Sequence, residues 1–157
     1  RAALVLGKAL SASLRAMTQA VIIYLLALLL GVGVNWNPLA LLGMTAAVIL
    51  GAACFSTFSL IIACLVKTRE RFMGFGQLLT MPLFFASNAI YPISIMPSWL
   101  QVVARINPLS YEVDILRRLM LINGTSTNPL GIDFMVLILV GACLTLIGAK
   151  LYPTVVT

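Results

Sequence analysis

Long apolar runs separated by short polar turns set the pattern of this chain. Residues 16–34, 39–66, 72–90 and 130–149 are each long enough, as helices, to cross ~30 Å of hydrocarbon. The run 39–66 exceeds what a crossing needs, so it must tilt or let its ends emerge. Its second half carries Gly51, Ala52, Ala53, Ser56, Ser59 and Ala63, small residues that allow close helix packing in lipid. Asn35-Trp36-Asn37-Pro38 reads as a turn with Trp36 at interface level. Asn123 to Pro129 reads as a second polar turn.

The pattern changes between Thr80 and Leu121. The stretch opens as apolar as the spans, then breaks at Pro92, Pro97 and Pro108 and carries Arg105, Glu112, Asp114, Arg117 and Arg118. A proline inside a helix removes a hydrogen bond and costs ~3 kcal/mol. The stretch therefore cannot be one straight span. The pieces 98–106 and 110–122 are helical in character and half apolar, which predicts short broken helices at membrane depth or at the membrane surface. Such backbone is tolerated there only when buried in protein or lining a watery cavity. The expected fold is all-α: a polytopic transmembrane helical bundle of about four spanning helices, with short re-entrant helices over 91–122 on the extracytoplasmic side, all in one domain covering 1–157.

Composition agrees with a membrane protein. The 157 residues are 62% hydrophobic and only 9% charged, against about a quarter charged in soluble domains, and the mean hydropathy is +1.12. The net charge of +6 fits the positive-inside rule and gives no reason to expect a nucleic-acid partner. The chain has no histidine, which removes His-based metal sites and His-based acid–base chemistry. Cys54, Cys64 and Cys143 all lie in apolar runs and read as small packing residues. No phosphate-binding glycine loop is present. The chain is expected to have no catalytic residue, to bind no metal or cofactor, and not to be an enzyme.

Charge also orients the bundle. With alternating spans, Arg1, Lys8, Arg15, Lys67, Arg69, Arg71 and Lys150 fall on one side against Glu70 alone, and Arg105, Arg117 and Arg118 fall on the other against Glu112, Asp114 and Asp133. The first side should be cytoplasmic, so both ends of the chain should be too. The stretch 1–15 places Arg1, Lys8 and Arg15 near one helical stripe and reads as the cytoplasmic foot of the first span or a cationic helix along headgroups. Because the chain opens on Arg1, on an amphipathic stretch without a signal peptide, it is expected to be an N-terminally truncated fragment. In the outer cluster, Asp114 to Arg117 is i+3 and Asp114 to Arg118 is i+4, spacings that suit ion pairs on one helix. Those pairs could brace the re-entrant helices or act as an outer gate.

Phe85, Ile90-Tyr91-Pro92, Met96-Pro97, Trp99-Leu100-Gln101, Asn107-Pro108-Leu109, Tyr111, Asp114 and Leu116-Arg117 together resemble the C-terminal signature of type-2 ABC transporter permeases. That family includes drug-resistance exporters and exporters of lipo-oligosaccharides and polysaccharides. The resemblance implies an ATP-driven exporter subunit of six spans, of which an interfacial helix and two spans would precede this chain. It implies an ABC ATPase partner that holds ATP and Mg, a second permease copy (homo- or heterodimer), and surrounding membrane lipid. The expected location is a bacterial or archaeal plasma membrane (the inner membrane where there are two). The likeness around Tyr91 to Arg117 points to a lipophilic drug or a lipid as cargo, ahead of a lipid-linked saccharide.

On this reading Pro92, Pro97, Trp99, Asn107, Pro108, Tyr111, Glu112, Asp114, Arg117 and Arg118 form the re-entrant signature and outer gate. Tyr24, Phe55, Phe58, Phe84 and Phe85 are candidates for the substrate path. Arg1, Lys8, Arg15, Lys67, Arg69 and Arg71 are candidates for the surface facing the ATPase. Two other classes stand beside it. An intramembrane enzyme would need a nucleophile–base pair or an acid dyad in the spans, and the spans offer only Asp133 near one end. A non-transporting anchor or assembly subunit fits the composition but has no use for broken helices.

Overall fold

The computed structural model describes residues 2–66 and 68–151, with side chains described from Gly7 onward apart from that of Arg69. Six α-helices follow in order: α1 Ala2–Leu29, α2 Pro38–Leu65, α3 Arg69–Phe85, α4 Ser98–Ile106, α5 Pro108–Met120 and α6 Leu130–Leu151, with a 3₁₀ turn at Ile93–Ile95 before α4. Among the described residues, three helices are long and apolar enough to cross a membrane: Gly7–Leu29, Pro38–Leu65 and Leu130–Leu151.

α1 is continuous from the cationic stretch into the apolar run, so the stretch 1–15 is the foot of the first span from Ala2 onward. It stops at Leu29 rather than at residue 34. Gly31 takes φ +70°, and the amides of Gly31 and Val32 turn back to the Leu28 and Ala27 carbonyls at 3.1 and 3.0 Å. This left-handed cap satisfies carbonyls that the helix end leaves free, and glycine adopts it without strain. α2 starts where Asn37 caps it, the Asn37 side chain accepting from the Leu39 amide, with Pro38 in the first turn.

α2 is the mast of the bundle. α1 runs antiparallel to it: Tyr24 packs with Met44 and the Ser13 hydroxyl donates to the Ile49 carbonyl at 3.2 Å. α6 runs parallel to it. Leu137 packs with Ala47, Gly141 lies against the Cys54 sulfur, and Gly148 lies against Thr57, Leu60 and Ile61. α5 runs antiparallel to it, with Leu119 over Gly43 and Glu112 over Gly51 and Ile115 packed with Ala47. The glycines along these lines let backbones approach, the main route to helix association in lipid. At one end of the bundle, the turn after α1 and the end of α5 are tied together, the Asn35 amide donating to the Met120 carbonyl at 2.8 Å and the Ile122 amide to the Gly33 carbonyl at 3.1 Å.

The segment expected as a third span, 72–90, is helical only as α3, 17 residues or about 25 Å. Pro82 lies inside it, and the chain leaves helical geometry after Phe85. α5 completes the crossing. Its first turn meets the end of α3, and from there it runs up α2 toward the turn after α1. Helices α3 and α5 are thus two halves of one broken span, with residues 86–106 looped out between them. The stretch 91–122, expected wholly on the extracytoplasmic side, reaches to the middle of α2 at Glu112.

Candidate functional site

The junction of α3 and α5 is built from polar side chains inside an apolar bundle. A buried helix end needs partners for its last carbonyls. Here α5 supplies them. Asn107 is buried; its side-chain oxygen accepts from the Leu109 amide at 3.0 Å, capping α5, while its side-chain nitrogen donates to the Leu83 carbonyl at 2.6 Å. One turn on, the Ser110 hydroxyl donates to the Ala86 carbonyl at 3.3 Å. Two turns further, the Arg117 guanidinium donates to the Asn88 carbonyl at 2.6 Å. Asn-Pro at 107–108 is therefore a cap plus a helix-starting proline, and the same asparagine joins two helices.

Asn88 is the pivot of the loop. It is buried and sits at φ +60°, a region asparagine tolerates better than most residues. Its side-chain nitrogen donates to Asp114 Oδ1 at 2.8 Å and its side-chain oxygen accepts from the Ile93 amide at 3.2 Å. Asp114, also buried, takes the Thr127 amide on Oδ2 at 3.0 Å. One carboxylate thus holds the loop after α3 and the loop before α6. The Arg117–Asp114 ion pair is long, 4.0 Å, so the hydrogen bonds through Asn88 carry more of the junction than the pair itself. Around this network lies a cavity of about 330 Å³ with a mixed wall, lined by Arg105, Tyr111, Asp114, Thr127 and Asn128 among others.

Beneath the junction is a second cavity of a different kind. It measures about 350 Å³ and is lined by Cys54, Phe55 and Phe58 of α2, Leu83 of α3, Val103 and Ile106 of α4, Asn107 and Pro108, and Val140 and Leu144 of α6. Every element that meets at the break contributes to its wall, and almost all of the wall is apolar. Burial of apolar ligand surface in such a space contributes ~25 cal/mol per Å2.

The profile of the family described as ABC-2 type transporter matches residues 1–121. The chain belongs to the ABC-2 type transporter family. Over 62 residues it is 39% identical to a putative transport permease ycf38 of Cyanophora paradoxa, covering 40% of this chain and 21% of that protein. Over 67 residues it is 33% identical to nodulation protein J of Rhizobium meliloti (strain 1021), covering 43% of this chain and 26% of that protein. A longer match, 26% identity over 118 residues, covers 75% of this chain and 44% of nodulation protein J of Sinorhizobium fredii (strain NBRC 101917 / NGR234). The chain thus spans less than half the length of these relatives. No solved structure matches it. Family and helices together make it part of a multi-pass membrane protein.

Within this ABC-2 chain the residues singled out from sequence do not form one site. Asn107, Pro108, Asp114 and Arg117 meet at the junction. Tyr111 braces it, its hydroxyl donating to the Arg105 carbonyl at 2.6 Å. Pro92 and Pro97 flank the 3₁₀ turn and cap α4, while Trp99 points outward, 67% exposed. The Asp114–Arg118 pair does not form: Arg118 turns to the Ser126 hydroxyl at 3.4 Å, because Asn88 and Thr127 already occupy the Asp114 oxygens. Glu112 also leaves the cluster. It lies on the opposite side of α5 from Arg117's contact and rests on Gly51, where any Cβ would overlap its carboxylate.

Of the path candidates, only Phe55 and Phe58 line the central cavity. Phe84 and Phe85 stack edge to face at 6.1 Å on the outward face of α3, and both are exposed. Tyr24 pins the turn after α1, donating to the Asn35 carbonyl at 2.6 Å and packing edge-on against Trp36 at 5.7 Å. Of the basic candidates, Arg71 is exposed in the first turn of α3, and Lys8 and Arg15 share a groove with α2. Arg1 and Lys67 and the Arg69 side chain lie outside the described residues. Sequence reasoning left Asn88 and Ser110 out of the site. Their signal was available: a polar residue near the outer end of an expected span, and another one turn after Asn107.

Proposed function

We propose that this chain is the C-terminal part of a permease subunit of an ATP-driven exporter, and that the seam between α3 and α5 is its gate. The observation that carries the reading is the broken span: side chains of α5 close the exposed carbonyls of α3 directly above an apolar cavity. Such a seam can open by exchanging protein partners for water or cargo, with no helix having to unwind. Family membership supports a transport role and, with it, a separate ABC ATPase that holds ATP and Mg. Arg71, exposed in the first turn of α3, is part of the surface offered to that ATPase. A second permease copy, identical or homologous, completes the path.

The cargo is a lipophilic drug, a lipid or a lipid-linked saccharide, with its apolar part against Phe55 and Phe58. Transport runs outward, with both ends of this chain cytoplasmic in a bacterial or archaeal membrane. The test is reconstitution of the full-length parent with its ATPase in vesicles, following a fluorescent lipophilic cation and a labelled lipid. ATP-dependent movement of either is the expected result. Binding of the ATPase without movement of any cargo would turn the reading toward an anchor or assembly subunit, and failure to bind any ATPase would sink it.

A further inference from the structure

Away from the seam, a groove between α1 and α2 of about 390 Å³ is lined by Lys8, Arg15 and Gln19 from α1 and by Ser56 and Ser59 from α2 over a floor of alanines. The Ser56 hydroxyl donates to the Lys8 carbonyl at 3.5 Å, fixing the two helices side by side here. Arg15 lies at the depth where the cationic foot of α1 passes into its apolar run, on a helix that continues unbroken to Leu29. A charge at that depth is rare unless paired or turned to water. Among the described residues the one ion pair is Arg117 with Asp114, so none of them provides a counter-ion for Lys8 or Arg15.

The same stripe then changes character. Residues 8, 12, 15, 19, 22 and 26 follow each other at three and four along α1. The last two are Ile22 and Leu26, both about half exposed. Two cations and three neutral polar groups thus sit at one end of a track that continues as bare hydrocarbon surface.

We propose that this groove binds the headgroup of an anionic phospholipid: Lys8 and Arg15 hold the phosphodiester, Ser56 beside Lys8 takes a further headgroup oxygen, Gln19 meets the ester region beyond Arg15, and the acyl chains lie along Ile22 and Leu26. The shared chemistry is a phosphate oxyanion between two cations. The apolar continuation selects the lipid over free phosphate and over an acidic protein surface. The site is independent of the seam and of the cargo.

The test is binding, without ATPase or transport. The full-length parent permease is purified in detergent and titrated with pyrene-labelled phosphatidylglycerol or phosphatidylcholine in mixed micelles. The expected result is a clear preference for phosphatidylglycerol. Lys8→Gln with Arg15→Gln should weaken that binding about thirtyfold, as the loss of two headgroup contacts requires, and Lys8→Arg with Arg15→Lys should keep it. If the neutral pair does not fold, competition on the wild type decides: short-chain phosphatidylglycerol should displace the probe and inorganic phosphate should not. Equal binding of the two lipids, unchanged binding by the folded neutral pair, or full displacement by inorganic phosphate would overturn the proposal.

Discussion

At the scale of single residues, Asp114 is the side chain on which most depends. Its two oxygens hold Asn88 and the Thr127 amide, and hydrogen bonds to charged groups contribute about 1.5–3 kcal/mol each in water and somewhat less within a membrane bundle. Asp114→Ala should destabilise the protein by about 2–3 kcal/mol, read as a lowered midpoint of thermal unfolding in detergent. Arg118→Gln should cost less than about 0.5 kcal/mol, since its one side-chain hydrogen bond among the described residues is a long, solvent-exposed one of 3.4 Å to Ser126. An equal loss for the two would show that the outer charges act as an undifferentiated cluster. A second residue-level outcome concerns Glu112. Gly51→Ala should destabilise by displacing the carboxylate above it, and Glu112→Ala in the same protein should recover most of the loss. The double-mutant coupling is expected at about 1 kcal/mol or more; strict additivity would mean the two residues do not touch.

At the scale of elements, α3 and α5 are held together by few bonds, so each should be felt. Asn107→Ala removes the cap of α5 and the link to Leu83 at once and should cost about 2 kcal/mol. Amide exchange should rise first in residues 86–106, where the backbone depends on that link. Much of this architecture was legible in the sequence. The helix Ser98–Ile106 was set by Pro97 before it and Asn-Pro after it, and α2 was set by an unbroken apolar run. The end of α1 was misplaced because a single left-handed glycine, Gly31, outweighs the four other apolar or small residues up to Val34. That short broken helices follow the third apolar run was legible; that the break falls inside the third span, at membrane depth, was not. Proline positions say where a helix stops; they do not say that Asn107 and Ser110 reach back to Leu83 and Ala86 and pull α5 into the bundle. Likewise the i+4 spacing allowed an Asp114–Arg118 pair, and a competing donor 26 residues away, Asn88, took its place.

At the scale of the molecule, the helices alternate so that Gly7 and Lys150 lie at one end of the bundle and Trp36 and the 123–129 loop at the other. Single cysteines at Thr125 and Thr68, in a background with Cys54, Cys64 and Cys143 replaced, should report this. An impermeant maleimide on intact cells should label Thr125→Cys, and should label Thr68→Cys only after the membrane is opened. The reverse pattern would invert the orientation. The central claim is that the α3–α5 seam parts during transport. Ala86→Cys with Ser110→Cys, at the 3.3 Å contact of the seam, allows it to be locked by a disulfide or a short bis-thiol linker in the reconstituted permease–ATPase complex. Locking should stop ATP-driven cargo movement while leaving the complex assembled, and reduction of the disulfide should restore it. Transport by the locked protein at the unlocked rate would show that the seam only braces the bundle, and would contradict the account.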